Sequence, residues 1–333
     1  MQRTRITSRL LALAGAVLLA GLLAVPSAIG RQASPRARAA SSLLVGVGDE
    51  HAKLFKNPLW QQLHTKIVRY IAPYDAAVRG DELGKAREWI HAAETQHQQV
   101  LVAFYHSEHT PTVLPSVATY QRDVKKFVAL FPRVHQYQSY DEANRGNVPG
   151  AFSSPSATLA AQYYQALLRS CTIRCTVIGL DVLDANNIGP TLEYISEFKR
   201  EIGRLRTIMP KIWGLHDYSD VNRYESWRTR EIDRALGGQV WLTETGGIVQ
   251  FGSFTNRNGS GLTRAASVVK YVFALAHSQP QITRLYLYDW TGGNASTRFD
   301  AGLMSAREQP RPGYVVLCRA LHAAKCNVKL SRN

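Results

Sequence analysis

Glu142, in HQYQSYDEANRG, and Glu244, in QVWLTETGG, are the residues of this chain whose type and setting best suit them to chemistry. Each closes a short run of strand-like residues and is followed by small or polar ones. Two carboxyl groups facing each other across a cleft can cut a glycosidic bond. One protonates the leaving oxygen, and the other acts on the anomeric carbon or on water. Retention of configuration requires a separation of about 5–5.5 Å. Residues this far apart in sequence can meet only if the ends of their strands converge on one rim.

The hydrophobic period switches repeatedly between that of a strand and that of a helix. Strands are expected at 43–48, 67–72, 99–105, 134–142, 175–183, 211–218, 239–246 and 282–290. Helices are expected at 58–64, 82–96, 117–131, 154–170, 189–209, 222–237, 262–278 and 311–324, with Ser154 capping the fourth and Pro155 in its first position. Strict alternation of this length predicts an α/β fold, a (β/α)8 TIM barrel. The alternative is a doubly wound open sheet, but GVGDEH after the first strand lacks dinucleotide-loop spacing. The Gly/Asn/Ser-rich stretch from about 246 to 262 is expected to be a long loop on the catalytic rim.

In such a barrel, polar residues at the carboxyl ends of strands read as functional. The second strand carries Arg69, the third ends in His106, and the fourth in Asp141-Glu142. The sixth ends in His216-Asp217-Tyr218, the seventh in Glu244, and the eighth in Asp289-Trp290. Asp181 and Asp184 on the fifth read as caps of the following loop. Taken singly, each has a plain structural reading: an ion pair for Arg69, a hydrogen-bonded rim for either histidine, packing for Trp290. Their recurrence in phase with the strand ends gives the set its meaning.

In these residues the chain resembles clan A of the glycoside hydrolases, the retaining (β/α)8 enzymes. The resemblance implies that Glu142 is the acid/base and Glu244 the nucleophile. It places Arg69, Tyr218 with His216, and Trp290 around the sugar; His106 and Asp141, from their positions at strand ends, are further candidates to bind it. Tyr105, Tyr218 and Tyr288 offer flat faces. An arginine beside the nucleophile favours its charged form, and that charge in turn favours a protonated acid/base. One position departs from the clan pattern: Asp141 stands where Asn is usual. An amide donates and accepts at a sugar hydroxyl, whereas a carboxylate only accepts.

The chain opens with MQRTRITSR, an apolar run and small residues, the pattern of a secretory leader over 1–39, cleaved after Ala39 or Ala28. A retained anchor is the other reading. The remainder, 40–333, is expected to be one catalytic domain and a secreted monomer. The formal net charge is +15, and loss of six leader arginines would leave +9. The cations are spread out, so solubility or residence near an anionic polymer is expected, rather than nucleic-acid binding. Cys171–Cys175 and Cys318–Cys326 are the expected disulfides in an oxidising compartment. No metal or organic cofactor is implied, since no cysteine pair has histidines at ligand spacing. No Gly-x-Ser-x-Gly elbow supports a serine esterase, and His106 with His109 is a thin basis for zinc chemistry. The partner is a poly- or oligosaccharide, either as substrate or, on a barrel that has lost catalysis, as ligand only.

Overall fold

The computed structural model describes residues 43–171, 175–252, 259–294 and 296–330. The expected leader lies outside them. Among the described residues no helix is long and apolar enough to cross a membrane.

The first half reads β1 (Leu44–Gly48), α1 (Pro58–Gln61), β2 (Ile67–Pro73), α2 (Gly80–Thr95), β3 (Gln99–Tyr105), α3 (Val117–Leu130), β4 (Gln136–Gln138) and α4 (Ala157–Ser170). The second reads β5 (Thr176–Ile178), β6 (Asp181–Leu183), α5 (Gly189–Arg204), β7 (Ile212–His216), α6 (Tyr218–Val221), α7 (Trp227–Leu236), β8 (Gln239–Thr245), α8 (Gly259–Ser278), β9 (Ile282–Tyr288) and α9 (Pro312–Ala320). All pairings are parallel, in the order β5-β4-β3-β2-β1-β9-β8-β7-β6. β5 and β6 are two halves of the fifth barrel strand. Between them Gly179 N–H donates to Ile212 O at 3.0 Å, and Leu180 O accepts from Gly214 N–H at 2.8 Å. These bonds close the ring and exclude the open sheet. The fold is the expected (β/α)8 barrel.

β2 (IVRYIAP) and β3 (QVLVAFY) are near-continuous apolar runs because parallel barrel strands are covered on both faces. Inside the barrel, Ile67, Leu101, Ile178, Trp241 and Tyr286 form a separate apolar plug, with Leu44 and Ile212 packed on it. Arg69, Ile71 and Tyr288 follow these residues at the two-residue period, so the strands that build the plug also aim side chains at the upper rim. Outside the ring, the strand residues Tyr70, Val102 and Phe104 pack with helix residues such as Trp89 and Phe127 in the main core.

Several boundaries differ from the sequence expectation. The fourth strand is three residues long, because the chain turns at Asp141–Asn144 to reach the rim. α4 is capped by Ser156, whose hydroxyl accepts from Leu159 N–H at 3.2 Å, not by Ser154. α5 stops at Arg204, ahead of Pro210, because Arg206 adopts φ +49°. The two cysteine pairs are bonded as expected, 171 to 175 and 318 to 326.

Gly214 on β7 faces a crowded point inside the barrel. A methyl group there would overlap Gln138 Nε2, Asp181 Oδ1 and Thr243 Oγ1. Gly214→Ala is therefore expected to destabilise the protein by about 3 kcal/mol, the upper end for overpacking. Urea unfolding measures this, and an unshifted midpoint would mean the space is not closed.

Candidate active site

Glu244 lies on β8, one residue from its end, and both neighbouring strands shift register around it. β7 pairs Leu215 with Leu242 and then His216 with Glu244, while β9 pairs Leu285 with Leu242 and then Leu287 with Thr245. The extra residue lets consecutive side chains turn inward, which a regular strand forbids. Thr243 donates its hydroxyl to Asp181 Oδ1 at 2.5 Å. Glu244 Oε1 accepts from Arg69 Nη1 at 2.6 Å, and its Oε2 accepts from the Tyr218 hydroxyl at 3.4 Å.

Glu142 reaches the same rim from the turn after β4. It adopts φ +42°, a left-handed conformation uncommon for a non-glycine residue. The turn is pinned to β6. Ala143 N–H donates to Asp181 O at 3.0 Å, and the Asn144 side chain bonds both Leu183 O (2.9 Å) and Leu183 N–H (2.8 Å). Glu142 Oε1 lies 3.1 Å from His216 Nδ1, and Oε2 accepts from Arg145 Nη1 at 2.8 Å. His216 Nδ1 is also 3.7 Å from Glu244 Oε2. The two distances from this one nitrogen cap the separation of those carboxylate oxygens at 6.8 Å, the sum of 3.1 and 3.7 Å.

Two buried cations hold the acids together. Arg69, 0% exposed, contacts Glu244, Asp141 and Asp181, the last at 3.0 Å. His216, also 0% exposed, sits between Glu142 and Asp181, with Nε2 3.1 Å from Asp181 Oδ2. Burial alone would lower the His216 pKa, but Asp181, Glu244 and the hydrogen bonds outweigh it, so the ring is held as a cation well above its ordinary range. Burial likewise works to raise Asp181 and Glu142. His216 with Arg69 and Thr243 holds Asp181 far below the carboxylate range. The His216 hydrogen bond and charge, with Arg145, hold Glu142 below its ordinary value. Glu142 is thus not the protonated acid that the neighbouring anions led the sequence to suggest; the proton rests on His216. Asp141 moves the other way: burial, with Glu244 and Asp181 nearby, pushes it up against the pull of Arg69 and His216.

Asp141, Glu142, Glu244 and Tyr218 line a cavity of about 440 Å³ at this rim. Arg69 and His216 lie beneath it. Tyr105, Tyr288, Phe251 and Phe299 add aromatic walls, and Arg145 and Arg223 add cations. A shallower hollow of about 270 Å³ at the opposite end of the barrel, around Leu44, Trp241 and Arg284, carries no carboxyl pair. Asp141, His216 and Glu244 each offer a ligand atom within 4.8 Å of the others, but the Arg69 guanidinium already bridges the two carboxylates.

Two residues expected at the sugar lie elsewhere. Trp290 is 1% exposed and packs edge-on against Trp60 and Tyr314, at 5.6 and 5.8 Å, so it presents no face to the cavity. His106 does not line the cavity: it packs against Tyr105, at 4.0 Å, and stacks on Phe152, at 5.8 Å, which in turn carries the Arg145 guanidinium at 4.7 Å, so His106 backs cavity residues rather than meeting a sugar. Asp184 is a cap, but for α6: it accepts from Ser219 N–H and Asp220 N–H at 2.7 and 2.8 Å. Asp181 is not a cap; it shares both buried cations. Glu50, two residues past β1, was missed. It accepts from the Tyr288 hydroxyl at 3.1 Å and feels Glu244; burial first, then Asp49 and Glu244, push it up to about 8. Its signal in the sequence was an acidic pair, Asp49-Glu50, at the end of a strand.

No family model matches the chain, and no curated protein matches it. Among solved structures it is similar to xylanase 10B from Thermotoga maritima, at 14% identity over 85% of this chain and 96% of that one, with a TM-score of 0.59. It is also similar to a fungal β-1,4-galactanase (10%, 84% and 100%, TM-score 0.61) and a glucosidase from Croceicoccus marinus (13%, 87% and 70%, TM-score 0.61). At these identities the likeness is one of fold. The fold shared with these structures is the (β/α)8 barrel.

Two outcomes are expected from this geometry. Trp290→Ala should cost about 3–5 kcal/mol of stability, as large-to-small core changes do, read by denaturant unfolding; unchanged stability would return Trp290 to the surface. Glu50 has a raised pKa, so its contribution to stability is complete below about pH 4.3 and is lost as pH rises through about 8. The melting temperature should fall over that window, and Glu50→Gln should flatten the fall; parallel curves for the two proteins would remove Glu50 as its source.

Proposed function

We propose that this chain is a secreted glycoside hydrolase acting on a poly- or oligosaccharide with retention of configuration. The observation that carries the reading is the pair Glu142 and Glu244 at one cavity, with oxygens no more than 6.8 Å apart by their shared distances to His216. Inverting pairs stand about 6.5–9.5 Å apart to admit a water, so this spacing favours direct attack. Glu244, steadied by Arg69 and Tyr218, attacks the anomeric carbon, and the glycosidic C–O bond breaks. The leaving oxygen takes its proton from Glu142. That proton starts on His216 Nδ1 and passes to Glu142 Oε1, from which the leaving oxygen takes it, while Arg145 stays on Oε2. In the second step Glu142 accepts a proton from water, whose oxygen displaces Glu244. Export is supported by the leader pattern and the two disulfides.

A second reading, a barrel that binds carbohydrate without cutting it, is favoured by the ion pair of Glu142 with Arg145, which occupies one carboxylate oxygen. A panel of aryl glycosides and polysaccharides separates the two. Under the first reading Glu244→Ala loses orders of magnitude on an activated aryl glycoside, and azide restores turnover with inverted configuration. Glu142→Ala slows the step that needs its base by about 10²–10⁴-fold, and azide then gives a retained product. Wild-type turnover in both variants on a substrate the native protein cleaves would remove this pair from the mechanism. Binding of an oligosaccharide with no cleavage by the native protein would establish the second reading.

A further inference from the structure

Asp141 breaks the pattern the rest of the site follows, and its surroundings give the break a chemical meaning. Asp141 and Glu244 sit side by side on one guanidinium, Asp141 on Arg69 Nη2 and Glu244 on Nη1. One oxygen of each lies within 4.8 Å of the other. With Glu244 taken to meet the anomeric carbon, the ring atoms beside that carbon are the ring oxygen and carbon 2, and only carbon 2 bears a substituent that a carboxylate this close to Glu244 could bind. Its Oδ1 is taken by Arg69; its Oδ2 accepts no hydrogen bond among the described residues, and Asp141 lines the cavity.

The charges around it do not balance. The groups in direct contact are the carboxylates of Asp141, Glu142, Asp181 and Glu244, and the cations Arg69, Arg145 and His216. Tyr105 and Glu50 flank them without adding positive charge. An Asn at 141 would leave three anions against three cations; Asp leaves the site one positive charge short. The upward push on Asp141 in the free protein is what an uncompensated buried carboxyl undergoes.

We propose that Asp141 selects a sugar with an ammonium on the carbon next to the anomeric centre, a 2-amino-2-deoxy glycoside such as the glucosamine or galactosamine units of a deacetylated polysaccharide. The ammonium donates to Asp141 Oδ2 and supplies the missing charge. A 2-hydroxyl supplies the donor without the charge, and a 2-acetamido group turns a neutral amide toward a carboxylate. This rests on Glu244 acting as the group that meets the anomeric carbon.

The test compares aryl glycosides of each configuration, gluco and galacto, that differ only in amine or hydroxyl at carbon 2. It is run near pH 5.5, below the ordinary amine range of about 7.7–8, with wild type, Asp141→Asn and Glu244→Ala. The wild type is expected to favour the amine by at least about tenfold in kcat/KM, the margin of a charge-assisted over a neutral hydrogen bond. Asp141→Asn is expected to erase that ratio, whatever its absolute rate. A wild type that favours the hydroxyl, or a variant that keeps the wild-type ratio, overturns the inference; with Glu244→Ala inactive, the glycosidase reading survives it. Full turnover by Glu244→Ala overturns both. Should Asp141→Asn fail to fold, the wild-type ratio decides alone. Should no aryl substrate turn over, calorimetry with chitosan and cellulose oligomers makes the same comparison: tighter binding of the chitosan oligomers supports the inference, and equal or absent binding overturns it.

Discussion

A guanidinium with no solvent contact must find carboxylates or leave the barrel, and Arg69 has found three. A buried unpaired charge costs several kcal/mol even after relaxation. Arg69 therefore fixes where the loop after β4, the second half of the fifth strand and the end of β8 must bring Asp141, Asp181 and Glu244. It rises from β2 above the apolar plug, which seals the barrel beneath it. The same contacts would be a liability if Arg69 were lost, since three carboxyl groups would then face one another with only His216 between them.

His216 makes the cluster usable for chemistry as well as stable. As an imidazolium it touches Asp181 on one side and Glu142 on the other, so under the proposed mechanism the proton that Glu142 delivers is stored one hydrogen bond away from it. This differs from the arrangement in which a carboxyl is kept protonated by an apolar pocket. Here the acid is surrounded by charge, and the balance between Glu142 and His216 responds to what enters the cavity. Arg145 is the one member of the network that is solvent-exposed, held by Glu142, the Tyr105 side chain and the face of Phe152. The rim is thus graded from a fixed floor, through a shared proton, to a cation that meets solvent.

The periodic parts of this arrangement were legible in the chain. Alternating helix and strand periods give the (β/α)8 barrel, because each period follows from which faces of an element are covered. Glu142, Glu244, Arg69, His216 and Tyr218 stood at strand ends and converge as those ends do. The close cysteine spacings gave the disulfides, since short loops bring their partners together without help from the fold.

What the sequence left open depends on contacts between strands. The inward turn of both Thr243 and Glu244 comes from a register shift against β7 and β9, which no pattern within β8 records. Asp181 looks like a loop cap until β2 and β7 supply its cations. Trp290 looks like a sugar platform until Trp60 and Tyr314 enclose it. The proton of Glu142 was placed by sequence on the carboxyl itself; the structure places it on His216, because a charge state is set by the sum of fields from neighbours far apart in the chain. Residue type and period determine which groups reach the rim. Only the closed barrel decides which of them touch, and so which of them carry charge.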